Sequence, residues 1–156
     1  MSAVKPEHIS QVNFAPFGKI VTTPTAQPTS QAYDYKFWSD LANYQVQGET
    51  EIGLCTVYAQ PKQEISGVER HMRTPEILIP IDAPFVLPLF DDARGKAEAF
   101  RVDLGEAVVI DTGVWHGACL PVGKNEATYF VIFRKGTPHE DVMKKPIDPV
   151  QILMPE

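Results

Sequence analysis

Short apolar runs and alternating segments occupy most of the chain from residue 50 onward. EIGLCTVYA alternates in character and carries β-formers, while EILIPID and FVLPLF are continuous apolar runs bounded by turn signals. Alternation is typical of half-buried strands, and short bounded apolar runs are typical of fully buried ones. The pattern predicts strands over 17–23, 51–59, 63–71, 76–82, 85–90, 97–104, 106–111, 115–120 and 127–135. Strands at this spacing predict an all-β barrel or sandwich.

One segment near the C-terminus carries the signals of a helix start. In TPHEDVMKK, residues 137–145, Thr137 is placed to cap a helix and Glu140 to complete a capping box. Lys144 and Lys145 follow where positive charge favours a helix C-terminus. We therefore expect a short C-terminal helix with a structural role.

Length, charge and cysteine content limit the class of protein. The 156 residues are most simply one domain over 1–156, and the net charge of −6 argues against a nucleic-acid partner. The start, MSAVKPEHISQVNF, lacks the apolar region of a secretory signal, and no apolar run approaches the roughly 20 residues of a membrane span. We expect a cytoplasmic protein with no membrane partner, in which Cys55 and Cys119 are reduced.

The segment VERHMRTPEILIPI, residues 68–81, places ionisable side chains beside an apolar strand. Burying such groups is costly unless they are paired or bind a metal ion. Glu69 and His71 are two positions apart and share one face of a strand, and Glu76 can rejoin them after a bend at Pro75. Carboxylate and imidazole ligands suit a divalent metal such as Ni, Mn, Zn, Co or Fe.

A second histidine can join this group from GEAVVIDTGVWHGA, residues 105–118. The DTG sequence makes a tight turn, and the hairpin that follows can place His116 opposite the first segment. The predicted metal ligands are Glu69, His71, Glu76 and His116. Taken singly, each has an ordinary explanation as a hydrogen-bonded core histidine, a surface charge pair or a solvated residue at a strand end.

These two segments resemble the two sequence motifs of the cupin superfamily. The first motif, H-x-H-x(3,4)-E, matches ERHMRTPE with Glu69 in the place of the leading histidine. The second, G-x5-P-x-G-x2-H-x3-N, matches from Gly105 to Leu120, with Asp111 in place of proline and Leu120 in place of asparagine. The resemblance implies a cupin-like β-barrel of the jelly-roll type around a metal ion, with a barrel that has lost its metal as the alternative.

A closer resemblance, to the ureidoglycolate lyase family, covers nearly the whole chain. It runs through FAPFGKIV, YAQP, ERH, ILIPID, PFVLPL, GVWHGACLP and YFVIFRKG. The resemblance implies a carbon–nitrogen lyase that releases urea and glyoxylate from ureidoglycolate in allantoin (purine) catabolism, built as a small cupin that dimerises.

Four features depart from the pattern of that family. Glu76 stands where glutamine is common, and Asp111-Thr112 stands where a Tyr-His pair is common. Gly117 replaces a second histidine, and Phe133 occupies an Asp-like position. Glu76 favours metal binding, whereas the other changes leave the identity of the small carboxylate substrate open.

Cleavage of ureidoglycolate assigns roles to further residues. A carboxylate must take the hydroxyl proton of the substrate, and Glu69 or Glu76 is the candidate base. A metal ion that binds this hydroxyl lowers its pKa. The substrate carboxylate needs a cation, for which Arg73 and Arg134 are the candidates because a guanidinium binds a carboxylate through two hydrogen bonds. An exposed arginine at a polar rim is the alternative for both.

Other functions fit a cupin barrel as well. An iron-dependent oxygenase would use a mixed His/carboxylate site with open coordination positions. An isomerase or lyase acting on a different small carboxylate, and a ligand-binding cupin without catalysis, are the remaining alternatives.

An aromatic-rich segment, residues 33–44, includes a possible helical turn near 38–41 and supplies apolar surface. Trp115 should point away from the face that carries His116 and add to that surface or pack internally. Apolar surface of this kind needs cover, so we expect a homodimer.

Overall fold

A computed structural model describes residues 2–155, which are almost entirely β-structure. The elements are β1 (Ser2–Val4), β2 (Glu7–His8), β3 (Gly18–Val21), β4 (Ser30–Ala32), β5 (Tyr35–Phe37), β6 (Thr50–Tyr58), β7 (Glu64–Arg70), β8 (Glu76–Pro80), β9 (Phe85–Asp91), β10 (Lys96–Val102), β11 (Ala107–Ile110), β12 (Trp115–His116), β13 (Leu120–Pro121), β14 (Glu126–Arg134), α1 (Thr137–Glu140) and β15 (Met143–Ile152). Each of the nine predicted strand segments overlaps at least one of these strands. The prediction of an all-β, barrel-like fold is confirmed.

Two sheets make up the body of the protein. An eight-stranded sheet has the order β1-β15-β7-β12-β9-β10-β2, with β13 also paired to β9. A five-stranded sheet has the order β3-β11-β8-β14-β6, and β4 and β5 form a separate hairpin. The pairings of β1 with β15 and of β2 with β10 are parallel, and the other pairings are antiparallel.

The main core lies between the two sheets. Phe14, Phe17 and Phe100 pack edge to face at its centre, with ring centroids 5.2–6.1 Å apart. Both sheets contribute to this cluster, for example through Leu89 of β9 and Leu78 of β8. Burial of this apolar surface is the main force that holds the sheets together.

A second cluster covers the opposite face of the eight-stranded sheet and includes Val86, Ala99 and Trp115. Strand β9 is therefore buried on both faces, which explains its continuous apolar sequence, FVLPLF. Trp115 is 6% exposed, with the guanidinium of Arg70 4.4 Å and the ammonium of Lys145 4.6 Å from its ring centre. Its role is internal packing, so it adds no exposed surface for a partner.

The predicted C-terminal helix is present but shorter than expected. It covers Thr137–Glu140 and begins after Gly136, whose φ of 85° suits glycine. The Thr137 hydroxyl donates to the carbonyl oxygen of Arg134 and does not cap the helix. Lys144 and Lys145 are in β15, because the chain pairs with β7 from Met143 onward.

The helical turn expected near 38–41 is absent from the described structure, where these residues are irregular. The indole N–H of Trp38 donates to the carbonyl oxygen of Ala26 at 2.9 Å, and Asp40 has a φ of 63°, outside the right-handed helical region. Within residues 2–155, no helix has the length and apolar character needed to cross a membrane.

Candidate metal centre

Three of the four predicted metal ligands come together where the two sheets meet. His71 directly follows β7, and His116 ends β12 in the same sheet. Glu76 begins β8 in the five-stranded sheet, where it is opposite Ile110 of β11. The strand pairings thus bring side chains that are distant in sequence to one place inside the barrel.

The donor atoms of these three residues, which we call the metal group, lie within 4.8 Å of one another. Oε2 of Glu76 is 3.0 Å from Nε2 of His116 and 3.5 Å from Nε2 of His71. All three side chains are buried, and the edge of the Phe133 ring system lies against His71 with centroids 5.8 Å apart. Phe133 gives the group an apolar wall.

Two buried donor atoms of the metal group make no hydrogen bond among residues 2–155, which fits a bound metal ion. Oε2 of Glu76 and Nε2 of His116 are fully buried, yet neither has a hydrogen-bond partner among residues 2–155 despite their short separation. Leaving such atoms unpaired costs free energy, which a coordinated cation would recover. Two imidazoles and one carboxylate are ligands used by Zn, Fe, Mn and Ni sites.

A backbone carbonyl fixes the orientation of His71. Nδ1 of His71 lies 2.8 Å from the carbonyl oxygen of Asp141, and since a carbonyl can only accept, Nδ1 carries the proton. In the neutral imidazole, Nε2 then presents its lone pair to Glu76 and the rest of the group. Support of a ligating histidine through its other nitrogen is the usual arrangement in metal sites.

Asp141 also holds the segment that follows His71. Its Oδ1 accepts from the N–H of Met72 and its Oδ2 accepts from the N–H of Arg73, both at 2.9 Å. Asp141 is buried directly after α1, about 70 residues away in sequence from these partners. The sequence analysis missed this residue, which lies in the middle of the segment 137–145 that the sequence predicts to be helical.

The turn between β11 and β12 brings His116 into position. The N–H of Gly113 donates to the carbonyl oxygen of His71 at 2.7 Å, and that of Val114 donates to Asp111 at 3.2 Å. Gly113 has a φ of 84°, a conformation that other residues adopt only with strain. The tight turn predicted from the DTG sequence is therefore present, and it links both histidine segments.

Charge within the metal group shifts two pKa values in opposite directions. Burial acts to raise the pKa of Glu76, but His116 and His71 outweigh it and hold the pKa at about 2. Burial acts to lower the pKa of His71, but Glu76, the Asp141 carbonyl and Glu69 outweigh it, so the pKa lies above 6.5. The metal-free group thus favours an ionised carboxylate beside a protonated imidazole.

Glu69, the fourth predicted ligand, is outside the metal group. It is directly opposite His116 in the pairing of β7 with β12, so both side chains leave the sheet on the same face. Glu69 lines a cavity of about 230 Å³ that also reaches His116. Its role as a ligand stays a prediction.

The two arginines predicted to bind the substrate carboxylate lie away from this cavity. Arg73 is exposed, and its backbone N–H donates to Asp141. Arg134 follows Phe133 on β14, so its side chain leaves the strand on the face opposite the one that contacts His71. Neither residue lines the 230 Å³ cavity, and their substrate roles stay predictions.

A second acidic and histidine cluster ties the N-terminus to the barrel. Nε2 of His8 lies 2.8 and 2.9 Å from the two carboxylate oxygens of Glu106 and 3.6 Å from Asp103. His8 is on β2, the parallel edge strand beside β10. Because His8 is exposed and Glu106 is already paired, we interpret this cluster as structural.

Comparison with known sequences gives a match over almost the entire chain. A sequence model of the ureidoglycolate lyase family matches residues 1–153. The ureidoglycolate lyase of Chelativorans sp. (strain BNC1) is 27% identical over 146 residues, covering 87% of each chain. The ureidoglycolate lyase of Burkholderia mallei (strain NCTC 10229) is also 27% identical over 146 residues, covering 87% of this chain and 84% of the relative.

Solved structures with a related fold include oxalate decarboxylase of Bacillus subtilis, a protein with Mn(II) centres, at a TM-score of 0.46 and 18% identity. That match covers 60% of this chain but 23% of the decarboxylase, so the chain spans less than a quarter of its length. Peruvianin-I, a cysteine peptidase from Thevetia peruviana latex, matches with a TM-score of 0.49 and 13% identity over 64% of this chain and 57% of its own. These likenesses concern the fold alone. The family match over residues 1–153 is decisive, and the chain belongs to the ureidoglycolate lyase family.

Proposed function

We propose that this protein is a ureidoglycolate lyase that splits ureidoglycolate into urea and glyoxylate with the help of a divalent metal ion. The observation that carries the proposal is the metal group of His71, Glu76 and His116, with two buried donor atoms left unpaired, in a chain of the ureidoglycolate lyase family. Family membership supports a carbon–nitrogen lyase, and a place in purine catabolism is part of the proposal.

The metal group would hold the ion through Nε2 of both histidines and the carboxylate of Glu76. When bound, a divalent metal supplies Lewis-acid polarisation of the substrate oxygens. The backbone support of His71 by Asp141 keeps the imidazole orientation that this requires. Nickel, manganese, zinc and iron all accept this set of ligands, and the identity of the metal stays open.

Of the two candidate carboxylates, Glu69 is better placed than Glu76 to act as the general base. Glu76 is enclosed by two imidazoles, whereas Glu69 is outside the metal group and faces the neighbouring cavity. In the reaction, Glu69 takes the proton of the carbinol hydroxyl while the C–O bond becomes a carbonyl. The C–N bond breaks with its electron pair on nitrogen, and the same carboxyl returns the proton to the departing urea nitrogen.

We also propose a homodimer that forms through strand β6. This strand is the edge of the five-stranded sheet, and its outward residues Ile52 and Leu54 are 71% and 66% exposed. Leu54 is opposite the partly exposed Phe130 of β14, which extends the apolar patch. An apolar edge strand invites pairing, and antiparallel pairing of two β6 strands satisfies a two-fold axis. A cytoplasmic location stays a prediction.

Release of glyoxylate and urea from racemic ureidoglycolate tests the activity directly. The reaction needs a blank without enzyme, because the substrate decays unaided. We expect equal amounts of the two products, and consumption that stops at half of the racemate if the enzyme is stereospecific. If no protein-dependent release occurs with Ni, Mn, Zn or Fe supplied, the proposed lyase activity is wrong.

A further inference from the structure

The immediate surroundings of the metal group leave little room for a substrate. The space enclosed by His71, Glu76 and His116 is too small for a substrate molecule. Larger cavities of about 670 and 690 Å³ lie elsewhere on the surface, and neither is lined by a member of the metal group. A substrate therefore has to approach through a cavity that borders one of the three residues.

The cavity beside Glu69 meets this requirement. It has a volume of about 230 Å³ and is lined by His116, Gly117, Ala118, Glu69, Lys144 and Lys145, among others. This volume is below the roughly 300–1,000 Å³ of pockets for drug-sized ligands, so it suits a small metabolite. His116 connects the cavity to the metal group.

Strand register places three functional side chains in a row across this cavity. Lys144 of β15 is directly opposite Glu69 of β7, and Glu69 is directly opposite His116 of β12. Residues directly opposite each other in antiparallel strands have side chains on the same face, with Cβ atoms about 4.5–5.5 Å apart. Lys144 therefore stands at the end of the row that is farthest from the metal group.

A cation at that end of the row offsets the acidic side chains nearer the metal group. Glu69 lines the route of an anionic substrate and Glu76 lies behind it against His116, and carboxylates repel an anion. Of the two lysines that line the cavity, Lys145 has its ammonium paired with Asp92 and placed over the Trp115 ring. Lys144 has no carboxylate within 4 Å among residues 2–155 and is free to receive an anion.

We propose that Lys144 binds the anionic end of the substrate in the cavity between itself, Glu69 and His116, and so selects small carboxylates. This inference rests on the proposed lyase function for the identity of the substrate, although the anion site itself does not depend on turnover. It gives Lys144 the role that the sequence analysis assigned to Arg73 or Arg134.

A binding experiment separates this inference from the lyase activity. Oxalurate resembles ureidoglycolate but has a carbonyl in place of the carbinol carbon, so the lyase reaction cannot occur. Its neutral amide, oxaluramide, lacks the carboxylate charge. Calorimetric titration with each compound measures binding to four metal-loaded proteins: wild type, Lys144→Gln, Lys144→Arg and Lys62→Gln. Lys62→Gln is the matched control, because Lys62 is an exposed loop residue outside the cavity.

We expect Lys144→Gln to weaken oxalurate binding by about tenfold or more, with Lys144→Arg close to wild type and Lys62→Gln unchanged. Oxaluramide binding should be equal in all four proteins. Unchanged oxalurate affinity in Lys144→Gln, an equal loss for oxaluramide, or no oxalurate binding by wild type would each overturn the inference. Oxalurate binding through Lys144 in a protein that does not cleave ureidoglycolate would support the anion site and refute the lyase activity. Cleavage of ureidoglycolate with an unchanged KM in Lys144→Gln would support the lyase activity and refute the anion site.

Discussion

Glu69 on β7 and His116 on β12 are directly opposite each other, yet they have different environments. His116 turns its Nε2 to Glu76 inside the barrel, whereas Glu69 lines the adjoining cavity. The structure thus places the two glutamates, which the sequence analysis could not distinguish, in different surroundings, and this supports the proposal that Glu76 is a metal ligand and Glu69 the base.

The first prediction concerns these two glutamates. Glu69→Gln should lower kcat by roughly 10²–10⁴, because the base is lost, while leaving the metal content unchanged. Glu76→Gln should weaken metal binding by at least the roughly 10–100-fold known for residues that only support a ligand. Metal per chain, measured by mass spectrometry of the dialysed proteins, and kcat at saturating metal distinguish the two roles. If Glu69→Gln loses metal together with activity, Glu69 is a ligand, as its motif position predicts.

The second prediction concerns Asp141, whose carboxylate holds the Met72 and Arg73 amides. Asp141→Ala removes two charge-assisted hydrogen bonds and should lower the free energy of unfolding by about 2–4 kcal/mol. It should also weaken metal binding, because the segment that positions His71 is released. Asp141→Asn, which keeps one acceptor oxygen, should have a smaller effect, and the exposed Asp148→Ala serves as control. Denaturant unfolding and metal titration that match wild type in Asp141→Ala would refute this role.

The sequence predicted the strands and named all three residues of the metal group because both depend on local patterns. Alternation and bounded apolar runs mark β6, β8 and β9, and the i,i+2 spacing places Glu69 and His71 on one face. The position of Asp141 beside the segment after His71, and the placement of Lys144 in a strand, both depend on the pairing of β15 with β7. That pairing joins segments about 75 residues apart, and a local helix signal at 137–145 competes with it, so the sequence alone could not reveal it.

Arg134 illustrates a second limit. The sequence correctly placed Arg134 on a strand. Which face of the sheet its side chain occupies depends on which residues of that strand point inward. Phe133 packs against His71, so Arg134 is directed away from the metal group. A one-residue shift in strand register moves every side chain to the opposite face of the sheet. Where apolar residues occupy both faces, the local sequence pattern does not indicate which register is right.

The third prediction concerns the pH dependence of the metal-free protein. The pKa of His71 is raised above 6.5, so its contribution to stability is complete below pH 6.5 and is lost as the pH rises through the folded-state value. The pKa of Glu76 is lowered from 4.5 to about 2, so its contribution is complete above pH 4.5 and is lost as the pH falls toward 2. These two groups therefore favour the metal-free fold most between these limits.

Above pH 6.5, the stabilisation by bound metal should change with pH in the direction opposite to the His71 contribution in the metal-free protein. The ion competes with the proton on Nε2 of His71, so the stabilisation by metal should increase as the pH rises above 6.5. Thermal unfolding midpoints with and without metal, compared at about pH 5.5 and about pH 8, measure this increase. An equal metal-induced shift at both values would show that His71 does not compete with the ion.

The fourth prediction concerns the proposed dimer. Leu54→Glu places a charge in the exposed apolar face of β6 and should weaken dimerisation by at least about tenfold without destabilising the monomer. Val12→Glu is the matched control, because Val12 is 86% exposed and outside this face. Light scattering over a range of concentrations gives the dissociation constants. A wild type that stays monomeric, or a Leu54→Glu variant that stays dimeric, would refute pairing through β6.

The final prediction tests the central claim, that the metal group holds the ion needed for cleavage. Turnover of ureidoglycolate is measured for protein as purified, after chelation and after return of single metals, alongside His116→Ala and the exposed control His139→Ala. We predict that chelation abolishes turnover and that return of one metal restores turnover in both the wild-type protein and His139→Ala. His116→Ala should neither bind this metal nor regain turnover. Turnover that survives complete removal of metal, or full activity in His116→Ala, would contradict the claim.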